Sequence, residues 1–562
     1  MNGFDTHEVL NQVEPFGDVN LFTADPALGE ALVREGGADA VRSLTALGER
    51  LGRTATLDLA RQANGNEPVL HHFDRAGRRI DDVDFHPAWH ALMALLIREG
   101  AHSSPREAPG PGAQVARAAR YILFGQLENG SQCPVTMTYA SVPALRHSPR
   151  LAARWLPKTL SREYDPRPLP VSAKHGALIG MGMTAKRGGS DVRSNTTRAE
   201  PVAPAAARAV FGDDGEDVYR LVGHKWFFSA PQADAHLVLA RTEDRGSAGL
   251  SCFLVPRFLD DGTHNGVRVQ RLKDKVGNRS NASAEVEFTG AYGWLLGQPG
   301  RGIPTILEMG SHTRLDCVLG STGIMRAALT QALHHARHRC AFGRTLADQP
   351  LMRNVLADLA LESEAATAFA LRLARCFDAP GDPAAAALAW ILTPAGKYWI
   401  CKRGPAFGAE AMEVLGGTGY VEDSSLGRLY RELPVNSIWE GSGNVMCLDL
   451  LRALSRSPAP AQALAAELTA AATANVDYTA FVRRLLADLA QPPAGPEAEF
   501  GARLLAERIV LAVQAGLLLH APAFVSSAFV ASRLADAPGG AYGRLPAGTD
   551  CEHILARALV AA

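Results

Sequence analysis

Glu440 lies in the stretch WEGSGN, residues 439–444, after a large aromatic and before two glycines separated by a serine. A carboxylate in that setting suits general-base chemistry. Small residues let a ligand approach the backbone, and a dry surrounding raises a carboxyl pKa toward the range in which it takes a weakly acidic proton. The plainer role is electrostatic: Glu440 precedes the helix that SGNVMCLDLLR begins, and an acid there favours the helix dipole. A second candidate is GMGMTAKRGGSDV, residues 180–192. Backbone N–H groups of a glycine-rich turn, with the hydroxyls of Thr184 and Ser190, can meet an anion or the polar edge of a heterocycle; the alternative is a turn and nothing more. The stretch matches neither GxGxxG nor the P-loop, which argues against Rossmann and kinase chemistry. KWFFS, residues 225–229, puts consecutive aromatics on a strand, with one of Trp226 and Phe227 facing in and the other out. HRCAFGR (338–344) ends a long helix between arginines that can grip a phosphate, and EVLGGTGY (413–420) is a further glycine turn.

The bulk numbers narrow the classes. A chain of 562 residues is too long for one ordinary core and predicts three or four packed units. Hydrophobic residues at 47% and charged ones at 20% are a soluble globular composition, and a formal net charge of -1 demands no polyanionic partner. Eight cysteines are scattered without CxxC or a Cys/His cluster, so neither a disulfide framework nor a metal site is expected. No apolar run reaches the ~18 residues of a membrane span, and the N-terminus lacks the pattern of a signal peptide. These features point to the cytoplasm.

The elements that must position the candidates follow from periodicity. Residues 1–176 read as helical, with apolar positions at three- and four-residue spacing in FHPAWHALMALLIREG and GAQVARAARYILFGQLENGS. Residues 177–297 switch to short apolar runs between Gly, Asp and Pro, the pattern of a compact β-barrel. Within them EPVAPAAARAVFGDDGED, 200–217, reads as an exposed, mobile loop. From 298 to 455 long helical patterns return as a bundle, and 456–562 is an Ala/Leu-rich helical extension after the linker SPAPAQ. The predicted class is mainly α with a central β-barrel.

The order and spacing of these pieces resemble the acyl-CoA dehydrogenase superfamily over nearly all of 1–455. MTAKRGGSD, GHKWFFSAPQADAHLVLAR, KVGNRSNASAEVEF, RCAFG, EVLGGTGY and WEGSGN are similar to its flavin loop, the strand after it, the end of its barrel and its three later turns. GMGMT, RLVGHKWFFS, AEAMEVLGG and PVNSIWEGSGN, together with the extension after 455, resemble most the AidB-type alkylation-response flavoproteins, a branch akin to isovaleryl-CoA dehydrogenases.

The resemblance implies FAD. It implies that Met181, Gly182, Met183, Thr184, Gly189 and Ser190 border the flavin, with Phe227, Phe228 and Ser229 beside it. It extends the lining to Ile438, Trp439, Glu440, Gly441, Ser442, Gly443, Asn444 and Leu448, with Asn444 hydrogen-bonding the ring. Arg339 and Gly417 match positions that touch the FAD of a neighbouring subunit, implying a homotetramer. Glu440 matches the base that removes the α-proton of an acyl-CoA thioester. Ala185-Lys186, Phe227 and Ser229 depart from the commoner Glu-Pro, Trp and Thr.

Three functions follow from this likeness. The first is a flavoprotein of the adaptive response to DNA alkylation that binds double-stranded DNA and keeps weak or specialised dehydrogenase activity. The second is a metabolic enzyme for short, branched acyl-CoA that passes electrons to an electron-transfer flavoprotein. The third is a non-enzymatic shield of DNA. Arg452 matches a DNA-facing position, and Arg456, Arg483 and Arg484 are further candidates. Yet residues 450–562 hold nine Arg, no Lys and nine Asp or Glu. DNA affinity needs cations gathered on one face; Arg452, Arg456, Arg483, Arg484, Arg503 and Arg508 supply it if they align, and otherwise the extension is a solvated helical region mediating subunit contacts.

Overall fold

A computed structural model of the chain describes residues 6–212, 215–379, 381–471, 475–491, 495–534 and 540–559. It divides into two units: Met1–Leu57, Gly110–Leu127 and Cys317–Ala562 form one, Asp58–Pro109 and Glu128–Asp316 the other.

The second unit is built on strands. A hairpin of β1 (Val69–Phe73) and β2 (Arg79–Asp84) comes first. It lies in a region whose sequence reads as helical; the turn is closed by Asp74, whose Oδ1 accepts from the N–H groups of Ala76 and Arg78. Then follow β3 (Ile179–Gly182), β4 (Arg198–Pro201), β5 (Val218–Ser229), β6 (Ala235–Arg241), β7 (Leu250–Pro256), β8 (Val267–Leu272) and β9 (Ser283–Leu296). Strands β6, β4, β5, β9 and β7 pair in that order and β7 pairs back to β6, closing a five-stranded barrel. β3 adds parallel to β6, and β8 antiparallel to β9.

β6 and β7 are apolar along almost their whole length because both faces are covered. Val238, Ala240, Phe253 and Val255 join a core that takes residues from every barrel strand. Leu237, Leu239, Cys252 and Leu254, one step out of phase, join a second core with Leu145, Leu151 and Trp155 of the flanking helices. Period-two geometry thus persists without polar alternation.

Much of the stretch read as a mobile loop over 200–217 is regular structure. Pro204–Phe211 is a helix, with Pro at its first turn and Gly212 at φ +57 past its end. Its buried residues, Ala207 and Phe211, pack into the outer core, Phe211 against Trp294 at 4.6 Å between ring centroids. The alanines that suggested a loop are good helix formers. Asp213 and Asp214 lie outside the described residues.

The first unit is a helical bundle. Its helices include the C-terminal part of Gly302–His338, then Pro350–Arg375, Pro383–Val414, Ser425–Asn436 and Gly443–Arg456. The extension adds Ala459–Ala470, Val476–Ala490, Gly495–Leu518, Ala523–Arg533 and Cys551–Ala558 within the same unit. Ion pairs, buried except at Glu30, fasten it. Arg533 binds Asp358 and Glu362, Arg403 also reaches Glu362, and Arg557 binds Glu30 and Glu364 at 2.6 and 2.9 Å. Burial disfavours an ionised Glu362, but Arg403 and Arg533 outweigh it and hold that carboxyl below its usual range.

Among the described residues no helix is long and apolar enough to cross a membrane, and no group of three or more His, Cys, Asp or Glu is placed to hold a metal ion.

Candidate functional site

In the strand unit, the glycine loop is held against β5. The carbonyl of Thr184 accepts from the N–H of Trp226 at 2.9 Å, and the N–H of Lys186 donates to His224 Nε2 at 3.1 Å. Met181 and Met183 lean on the outer core, and Gly182 leaves no room for a side chain, since a Cβ there would lie 2.6 Å from the Phe228 ring. Ala185, one of the departing residues, closes a tight turn with Gly188 through mutual N–H···O bonds of 3.3 and 3.2 Å. The loop tip, with Gly189 and Ser190, is exposed.

The expected alternation of Trp226 and Phe227 is broken by a register shift between Lys225 and Phe228. A bulge puts two residues where one would pair. Lys225 and Phe228 therefore both point into the protein, Trp226 is half-buried under Lys273 Nζ at 3.4 Å, and Phe227 is 50% exposed. Lys225 Nζ donates to Leu239 O at 2.7 Å, and burial lowers its pKa to about 7. Ser229 sits 3.4 Å from the Ser283 hydroxyl.

In the helical unit, the run Ile438–Leu448 is a turn and the helix after it. The N–H groups of Ile438 and Trp439 donate to Val435 O at 2.9 and 3.0 Å, and Trp439 Nε1 donates to Asn436 Oδ1 at 3.0 Å. Glu440 has φ +59, a left-handed conformation that side chains seldom adopt, and Gly441 follows at φ +104. Glu440 is half-buried. Beneath the turn, the buried Lys397 donates to Asn436 O at 3.0 Å and Gly441 O at 2.6 Å, clamping both ends. Ser442 precedes the helix Gly443–Arg456, and Gly443 is buried against Tyr398, whose ring would lie 3.4 Å from a Cβ. Asn444 and Leu448 are exposed one turn apart, and Ile438 is 64% exposed.

Two residues here escaped sequence reasoning. Lys397 left a trace, being a lone cation inside an apolar helical run. Arg503 left none. It reaches Asn444 from the extension, with Nε and Nη2 donating to Oδ1 at 3.0 and 2.7 Å.

The remaining candidates are scattered. Arg339 is half-buried at a helix end and donates to Asn11 O, while Cys340 exchanges two bonds of 2.8 Å with the Asn11 side chain. Gly417 is exposed at the start of the short helix Gly417–Tyr420. Arg452 pairs with Asp449, and Arg508 with Asp488 at 2.6 Å. Arg456, Arg483 and Arg484 are exposed.

The groups present suit a flavin. The hydroxyls of Thr184 and Ser190 have no hydrogen-bond partner among the described residues, and an uncovered ring, Phe227, lies one position from the half-buried Trp226 and two from the half-buried Ser229 on the same strand. A heterocycle with an apolar face and a polar edge asks for such a donor set.

Comparison with known proteins agrees. Residues 11–166 match the Adaptive response protein AidB N-terminal domain, 180–291 the acyl-CoA dehydrogenase middle domain, and 300–455 the acyl-CoA dehydrogenase C-terminal domain. The chain is 50% identical to AidB of Escherichia coli (strain K12) over 518 residues, 92% of each chain. It is 32% identical to acyl-CoA dehydrogenase family member 11 of Caenorhabditis elegans over 71% of this chain and 64% of that one. Its fold superposes on the apo form of Bd2924 with TM-score 0.82 and 31% identity, covering 90% of this chain and 99% of that chain. It superposes on Caenorhabditis elegans ACDH-11, solved in complex with C11-CoA, with TM-score 0.83 and 26% identity over 99% and 93% of the two chains. The chain belongs to the acyl-CoA dehydrogenase family, in which its N-terminal domain is that of AidB, and its cofactor is FAD.

Proposed function

We propose that this protein is an FAD-dependent oxidoreductase that takes an acyl-CoA thioester, with Glu440 as its base, and that it serves the adaptive response to DNA alkylation. The observation that carries the chemistry is the Glu440 turn. Glu440 is a half-buried residue on a left-handed backbone, in a turn whose carbonyls of Asn436 and Gly441 are clamped by Lys397, so its backbone is held in one position. A base must be fixed within hydrogen-bond reach of the proton it takes, and the α-proton of a thioester is weakly acidic. Bound FAD supplies the acceptor for the β-hydride. The thioester class is supported by the likeness to ACDH-11, solved with C11-CoA, and the physiological setting by the likeness to AidB. Thr184, Ser190 and Asn444 are the donors offered to the cofactor, with Phe227 against its apolar face.

The eight cysteines, all free, accord with a reducing compartment such as the cytoplasm. Phe342, 98% exposed, together with Leu351 and Tyr420, supports burial of this surface by other copies in a tetramer. A second reading, double-stranded DNA as partner, is favoured by exposed Arg456 and Arg483 and by the AidB likeness.

The test is an anaerobic titration with acyl-CoAs of graded length and branching, following the oxidised flavin band. One thioester should bleach the band in the unmodified protein and none in Glu440→Gln. Equal bleaching in Glu440→Gln would remove Glu440 as base, and no bleaching by any thioester would remove the substrate class.

A further inference from the structure

Asn444 is the second residue of the helix Gly443–Arg456. Its amide has one acceptor oxygen and one NH2 donor. Two N–H groups of a single guanidinium, Arg503 Nε at 3.0 Å and Nη2 at 2.7 Å, converge on one amide atom, and only the oxygen can accept them. Both lone-pair directions of that oxygen are therefore taken from the side of the extension. The amide cannot flip without placing NH2 against a cation, so its hydrogens must face the other way. Arg503 is itself held: its guanidinium lies 5.9 Å from the centre of the Tyr398 ring, and Tyr398 is the side chain packed against Gly443. Arg503, Tyr398 and the start of this helix thus form one assembly, four residues after Glu440 and fastened by a helix that lies 59 residues further along the chain.

We propose that Arg503 is a positioning residue that fixes Asn444 as an obligate donor, so that the group Asn444 meets must be an acceptor such as a carbonyl oxygen of the flavin ring. This rests on the reading above that FAD borders the Glu440 turn. It gives the extension after residue 455 a task at the flavin, and it predicts that the extension influences cofactor binding without touching the cofactor.

The experiment uses the full chain, stripped of FAD and titrated with it, reading the dissociation constant by flavin fluorescence together with the visible spectrum and midpoint potential of the bound flavin. Asn444→Ala should weaken FAD binding about tenfold, the loss of one good hydrogen bond. Arg503→Ala should weaken it about three- to tenfold and shift the potential, and the double variant should be no worse than Asn444→Ala alone, because both changes act through one bond. Wild-type affinity, spectrum and potential in Arg503→Ala, with Asn444→Ala impaired, would overturn the positioning role and leave the flavin placement standing. Unchanged behaviour in both variants would overturn the placement and the proposal with it. If Arg503→Ala does not fold by circular dichroism, Asn444→Asp decides: it keeps an acceptor for Arg503 but has no N–H to offer. It should melt like the unmodified protein and bind FAD as poorly as Asn444→Ala; full FAD affinity would refute the donor role.

Discussion

At the scale of the residue, Glu440, proposed above as the base, sits on a backbone conformation that resists its side chain. A non-glycine residue at φ +59 costs roughly 1–3 kcal/mol, and such strain persists where surrounding structure over-determines it. Here the clamp is Lys397, which ties Asn436 and Gly441 on either side. The cost predicts a comparison. Glu440→Ala and Glu440→Gly both remove the carboxylate, but only glycine adopts a left-handed backbone freely, so Glu440→Gly should be more stable than Glu440→Ala by about 1 kcal/mol. Thermal or urea melts of the pair measure this, and equal stabilities would mean that the turn stores no strain. The acid itself was legible in WEGSGN, since an aromatic and two glycines surround it. Its handedness was not, because nothing in six residues specifies φ at the second of them when a lysine about 43 positions earlier holds the turn. Arg503 was illegible for the same reason: a side-chain bond across 59 residues has no local pattern.

Elements were legible where periodicity and burial agree. Strands β5, β6, β7 and β9 of the barrel and the long helices stand where apolar runs and turn residues put them, whereas β4, of sequence RAEP, has no apolar run to announce it. The helix Pro204–Phe211 was misread because Ala, Pro and acid were weighed as composition, although Pro at the first turn and Gly212 after the last are end signals. The hairpin β1–β2 was missed because it is short and the two buried positions of β2 are Asp81 and Val83, so an acid stands where an apolar residue would show the alternation. In β5 the bulge has an electrostatic consequence. By turning Lys225 inward beside Phe228 it buries an amine whose pKa falls to about 7, against an ordinary 10.5. Between those values the unfolded chain binds more proton than the native one, so stability rises with pH across that window; below it both states are protonated and the burial penalty is present in full. Each unit of such a shift is worth about 1.4 kcal/mol, which puts the whole effect on the order of a few kcal/mol. Lys225→Met removes the titration. The stability of the unmodified protein relative to Lys225→Met should therefore climb from pH 6.5 to 9.5, the measurement being denaturant melts of both at each pH. A difference independent of pH would mean that water or movement of β5 keeps Lys225 charged.

For the molecule as a whole, the extension was legible as helices but not as part of the bundle. Its charge balance suggested either a basic face or a neutral solvated addition, and the structure spends several of its arginines inside the chain. Arg533 and Arg557 neutralise carboxylates of the bundle, Arg503 takes Asn444, Arg508 takes Asp488, and Arg452 shares its charge with Asp449. A cation already paired releases few counterions when a phosphate approaches, because an acid must first be left behind. Arg456, Arg483 and Arg544 are exposed and have no side-chain partner among the described residues, so they are the cations of this region free to meet DNA. Each phosphate contact contributes a slope of about -0.9 in log affinity against log salt. Duplex DNA binding through this extension should accordingly be weak and shallow in salt, with a slope of roughly -3 or less steep. Arg456→Ala and Arg483→Ala should each flatten it by about 0.9. Arg452→Ala should flatten it by less, because removing Arg452 also releases Asp449. Fluorescence anisotropy of a labelled duplex over a range of salt reads all three. A steep slope that these changes leave untouched would assign DNA to another face of the protein and leave the extension as what its ion pairs make it, a brace for the helical bundle.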